Sequence, residues 1–126
     1  MRAALIATGG VLLVVLVGLL VRRRVFVVAV VGRSMTPTYT DGERLLAVRG
    51  RRVSPGDVVV FTIPPAARDM AAEDASISIK RVSAVSSSTG PVTVTGDAPR
   101  SLDSRVFGPL DRDLIIGRVL RPRPRR

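Results

Sequence analysis

The sequence predicts a mainly β protein, a single compact β-sandwich or barrel domain preceded by one transmembrane helix. Three observations carry this. Residues 3–21 contain no charge over 19 positions, close to the roughly 20 that a helix needs to cross the hydrocarbon layer of a bilayer. Downstream, short runs rich in Val and Ile recur between clusters of Gly, Pro, Ser and Asp, the pattern of strands and turns. No clear soluble helix interrupts them, and 126 residues leave room for about one domain of the usual size.

Each element follows from its residues. Residues 1–24 read as a membrane anchor closed by Arg22, Arg23 and Arg24. A cleaved signal peptide fits less well, because no small-x-small cleavage site follows directly and the apolar stretch is long for one. Val25 to Val31 is a β-branched run expected to form a buried strand that Gly32 stops. The turn-rich stretch Ser34 to Gly42 leads to a strand at Arg44–Val48, and the Ser54–Asp57 turn leads to a strand at Val58–Phe61. Pro64 to Asp74, with two prolines and several small residues, is expected to be an exposed loop. Ser76 to Val82 alternates as a half-buried strand does, with Ser76, Ser78 and Lys80 on one face and Ile77, Ile79 and Arg81 on the other. After a turn at Ser86–Gly90 come a strand at Val92–Thr95, a loop from Gly96 to Arg105 and a last strand at Leu114–Leu120. The β domain thus covers residues 25–120, and residues 121–126 form a basic tail.

Composition narrows the chemistry. Cys and His are absent, which removes thiolate nucleophiles, Cys/His zinc sites and any Ser-His-Asp triad. No metal and no cofactor is expected. A hydrolytic base would have to be a carboxylate or an amine, and the only amine side chain is Lys80, since the other 19 of the 20 basic residues are Arg. Guanidinium stays protonated at ordinary pH, whereas a buried lysine can lose its proton. A GC-rich genome would also deplete lysine and leave a survivor by chance. The formal charge of +10 could suggest nucleic acid, but with three Phe, one Tyr and no Trp there are few rings on which bases could stack. Contact of the scattered arginines with lipid headgroups is the better expectation, and no nucleic-acid partner is expected.

Ser34 alone reads as a turn residue and Lys80 alone is bland; together, near a loop rich in Asp, Arg and Ser, they suggest an activated nucleophile. Four motifs then resemble those of the type I signal peptidases, in that family's order. Gly32-Arg33-Ser34-Met35-Thr36-Pro37-Thr38 is similar to the nucleophile box, and Gly56-Asp57-Val58-Val59-Val60-Phe61 to the Gly-Asp strand box. Ile79-Lys80-Arg81-Val82 resembles the box that holds the general base. Gly96-Asp97 with Ser101-Leu102-Asp103-Ser104-Arg105 resembles the Gly-Asp-Asn and Ser-x-Asp-Ser-Arg box. The resemblance implies a signal-peptidase-like catalytic β domain with Ser34 as nucleophile and Lys80 as base. It implies that Ser101 hydrogen-bonds and orients the amine, that Asp103 and Arg105 form a supporting ion pair, and that the Ser34 backbone N–H supplies the oxyanion hole. Gly32 stands where some members carry a hydroxyl that assists the oxyanion, and Ala98 stands where Asn is usual. Only 14 residues separate Arg81 from Gly96, so the large insertion of many bacterial members is missing. Met35 and Pro37 are expected to contact substrate, an extended segment of a precursor protein with small residues one and three positions before the cut.

Topology is drawn two ways. Arg22, Arg23 and Arg24 after the span place the domain in the cytoplasm by the positive-inside rule, while the resemblance implies a single-pass protein of the cell membrane with an extracytoplasmic catalytic domain. A maturation protease trimming one dedicated partner, as for nickel superoxide dismutase, is a related reading. A membrane-tethered binding domain and a self-cleaving repressor-type Ser/Lys protease are the remaining alternatives.

Overall fold

The computed structural model describes residues 1–72 and 75–125. Glu73 and Asp74 of the expected 64–74 loop, and Arg126 of the expected tail, lie outside the described residues.

Helix α1 (Arg2–Arg24) is apolar all round, has no buried residue, and is long enough to cross a membrane. Three arginines occupy its last turn, where cations complement the helix dipole. The chain passes directly from α1 into β1 (Val25–Ala29). Strands β2 (Arg44–Arg49), β3 (Val58–Thr62), β4 (Ile77–Val85), β5 (Val92–Thr95) and β6 (Ile115–Val119) complete one antiparallel sheet in the order β1-β2-β6-β3-β4-β5. The fold is mainly β, as expected, with β1 and β5 at the two edges.

Strand β3 explains the core. Val58, Val59, Val60 and Phe61 are all fully buried. Side chains alternate along a strand, so Val58 and Val60 join Val28, Met35, Tyr39 and Ile79 on one side, while Val59 and Phe61 join Val82, Val94 and Leu110 on the other. Both faces of the sheet are covered at β3, which is why this run shows no polar alternation. Each buried Val or Phe contributes about 1.5–3 kcal/mol by area.

Some elements differ from expectation. Strand β1 is only half buried: at the sheet edge it pairs with β2, and Val28 packs into the core while Val27 in the strand and Val31 just beyond it are 60% and 80% exposed. The expected 64–74 loop contains a 3-10 segment at Pro65–Met70 that buries Ala67. Within the expected 96–105 loop a one-turn helix α2 (Ser104–Phe107) begins, because the Asp103 carboxylate caps it by accepting from Arg105 N–H at 3.0 Å. Finally, the basic tail folds back: the Arg123 backbone N–H donates to Tyr39 OH (2.7 Å), its guanidinium donates to the Thr38 carbonyl (3.2 Å) and lies 5.0 Å from the Tyr39 ring centre, and it forms an ion pair with Glu43.

Candidate active site

The turn after β1 and strand β4, which are not neighbours in the sheet, bring the chemistry together. After β1 the chain must turn sharply, and Gly32, at φ +85°, takes the left-handed conformation that does so; its N–H donates to Asp41 Oδ1 at 2.9 Å. Ser34 follows on a tight turn closed by Thr36 N–H to the Arg33 carbonyl (3.1 Å) and Tyr39 N–H to the Met35 carbonyl (2.9 Å). Lys80 lies on β4 opposite Val59 of β3 and is 4% exposed. Its Nζ donates to Ser34 Oγ at 2.9 Å, Ser78 Oγ at 2.8 Å and the Ile79 carbonyl at 3.1 Å. Ser78 shares the Lys80 face, as the alternation along β4 requires.

Burial lowers the Lys80 amine to about 8, against the opposing pull of the Asp103 charge. At pH 7 about a tenth of such amines are neutral, several hundred times the fraction for a solvated lysine. Asp103 is fully buried. Burial alone would raise its carboxyl, but the Arg105 ion pair (2.7 Å), the Gly96 N–H (2.7 Å) and the Arg105 N–H outweigh that and hold it well below the usual carboxylate range. The Asp103 charge therefore sits fixed near the amine.

The loop after β5 locks onto the nucleophile turn. Ala98 N–H donates to the Ser34 carbonyl at 2.9 Å, and Gly96 packs so closely on the Ser34 carbonyl and the Ser101 side chain that a Cβ there would collide with both. The Ser34 N–H makes no hydrogen bond among the described residues. A groove of about 540 Å³ opens beside Ser34 and Lys80, walled mainly by apolar side chains that include Met35, Ile63, Met70 and Leu102.

A family model described as signal peptidase, peptidase S26, matches residues 3–89. The chain belongs to that family. Its matched region holds Ser34 and Lys80, and ends before Gly96, Ser101, Asp103 and Arg105. No curated protein matches the chain. Family membership makes it a peptidase of the signal-peptidase type acting on protein substrates.

Within this family frame, two expectations from sequence need correction. Ser101 does not hydrogen-bond the Lys80 amine: the loop packs it against Gly96 with its hydroxyl toward the Asp103 carboxylate, and Ser78 of β4 reaches the amine instead. Pro37 does not line the groove, since the Ser34–Tyr39 turn carries it to the exposed outer side, whereas Met35 and Gly32 do line it. The sequence reading also missed the Arg81–Asp97 pair. Arg81 faces away from Lys80 and holds Asp97 through two hydrogen bonds (2.9 and 2.8 Å) while reaching the Gly56 carbonyl (3.1 Å). Three of the family-like boxes supply those residues, which was the available signal.

Proposed function

We propose that the protein is a membrane-bound serine endopeptidase that removes N-terminal signal peptides from exported precursors through a Ser34/Lys80 dyad. The observation that carries this reading is the buried Lys80 amine 2.9 Å from Ser34 Oγ beside an apolar groove. In the proposed reaction the neutral Lys80 Nζ accepts the Ser34 hydroxyl proton as Oγ attacks the scissile carbonyl. The Ser34 N–H donates to the developing oxyanion. The Lys80 ammonium then returns the proton to the leaving amine, and an acyl-enzyme on Ser34 remains. A water, deprotonated by Lys80, hydrolyses that ester and regenerates the hydroxyl. Asp103 and Arg105 hold the loop that fixes Ser34. Gly32 leaves the oxyanion site to backbone donors. The helix α1 anchors the enzyme in the cell membrane with the β domain on the extracytoplasmic side, where cleavage sites of exported precursors emerge.

The test is cleavage of a panel of signal-peptide-bearing precursors by the full chain in detergent or vesicles. Ser34→Ala and Lys80→Ala should each abolish turnover, and Lys80→Arg should be as inactive as Lys80→Ala, because guanidinium keeps the charge without the basicity. Substantial cleavage by Lys80→Arg overturns the dyad.

The Arg22–Arg24 cluster favours a second reading, a cytoplasmic maturation protease that trims the N-terminus of one dedicated partner. Protease protection of an epitope fused after the β domain separates the two: protection in spheroplasts supports the second reading, digestion the first.

A further inference from the structure

The Lys80 amine has three partners, and they are not chemically alike. The Ile79 carbonyl can only accept, so it always takes one N–H. Ser34 and Ser78 are hydroxyls that can either accept or donate. A neutral amine has two N–H bonds and one lone pair. With Ile79 holding the first N–H, the second N–H and the lone pair must be shared between the two serines. Only one division is productive: Ser78 Oγ accepts the N–H, and the lone pair faces the Ser34 hydroxyl. The reverse division spends the lone pair on Ser78 and leaves the Ser34 proton without an acceptor.

We infer that Ser78 is a positioning residue that accepts an N–H from the neutral Lys80 amine and so aims its lone pair at Ser34. The inference rests on the dyad reading above and deepens it. Ser78 needs no change during the reaction. Once the Ser34 proton has moved to Nζ, the ammonium has three N–H bonds, accepted by the Ile79 carbonyl, Ser78 Oγ and Ser34 Oγ, which is the arrangement of the three contacts. The strand enforces the placement, since residues two apart on β4 share a face. Ser101, which the family-like box had suggested for this task, makes no hydrogen bond to the Lys80 amine, and its hydroxyl lies against Asp103 instead. The charged groups nearby are Asp103, paired with Arg105, on the Lys80 side, and the Arg81–Asp97 pair on the opposite side of β4.

The test compares Ser78→Thr with Ser78→Val in the full chain. Both are β-branched and suit a strand, and they differ only in the hydroxyl. Thr should keep kcat within a few-fold of wild type. Val should lower kcat by roughly 10- to 100-fold with KM changed little, as expected for a misaligned general base. Val should also move the acid limb of the kcat/KM profile to lower pH, because the ammonium loses an acceptor that stabilises its charge. A packing role alone would leave that limb in place. Equal kcat for Thr and Val, an unmoved acid limb, or a loss confined to KM overturns the inference. Lys80→Ala run alongside keeps the two claims apart: inactivity of that variant with equal Thr and Val rates rejects Ser78 alone, and retained turnover rejects the dyad and this inference with it.

Discussion

Holding the Lys80 amine inside the protein costs folding free energy at neutral pH, and Lys80→Met should remove that cost along with the amine's hydrogen bonds. Burial moves the amine from 10.5 to about 8. At about 1.36 kcal/mol per pH unit, that is a cost of about 3 kcal/mol. The folded state releases this proton more readily than the unfolded chain does, so the unfolded state binds more protons between about pH 8 and 10.5. Stability from this group therefore rises with pH across that window, and the full cost applies below about pH 8. Methionine fills nearly the same volume without a charge, but it gives up the amine's hydrogen bonds, each worth about 1 kcal/mol net. At about 1 kcal/mol each, the three hydrogen bonds offset nearly all of that cost, so Lys80→Met should match wild-type stability to within about 1 kcal/mol at pH 7 and fall below it by about 2 kcal/mol near pH 10. Urea denaturation of wild type and variant in detergent micelles, followed by circular dichroism at pH 7 and pH 10, reads this difference. A gap between variant and wild type that does not change with pH refutes the claim that the amine is desolvated. The same variant should have no proteolytic turnover, so at pH 7 activity is lost while stability is kept.

Other outcomes follow from the contacts around the dyad. Asp103→Asn removes a fully buried charge that Arg105 and the Gly96 N–H satisfy, and should destabilise the fold by about 2–4 kcal/mol in thermal or urea melts. Because the Asp103 carboxyl is held below its usual range, its contribution is present at neutral pH and should fade as pH falls through the acidic range. Gly96→Ala would push a methyl into the Ser34 carbonyl and the Ser101 side chain, and should lower kcat by at least about 10-fold in a precursor cleavage assay. Deleting residues after Leu120 removes the Arg123 contacts to Tyr39, Thr38 and Glu43 and should lower the Tm measurably. A tail serving only lipid contact would leave Tm unchanged.

Most of the fold was legible because local chemistry set it. The runs Val58–Phe61 and Val92–Thr95 are β-branched or aromatic and are bounded by Gly or Pro, so strand and turn could be read directly. Exposure of β1 was not legible: Val25–Ala29 looks like a core strand, and only the sheet order makes it an edge. Helix α2 is four residues long, too short for any periodicity, and is visible only once the Asp103 cap is seen. At the site, the shared face of Ser78 and Lys80 followed from the period of two. Which hydroxyl reaches the amine did not, because Ser78 and Ser101 differ by the conformation of the 96–105 loop, which packs on Ser34 from far along the chain. The grip of Arg123 on Tyr39 spans 84 residues and has no local signature.

Lys80 is the only lysine in the chain, so protein grown with carbon-13 lysine carries a single labelled Cε. Following that signal by NMR across pH reports the charge of the proposed base directly, in the full chain held in micelles. A midpoint near 8 is the predicted result. A midpoint near 10.5, the value of a solvated lysine, would mean the amine stays charged at neutral pH and cannot take the Ser34 proton.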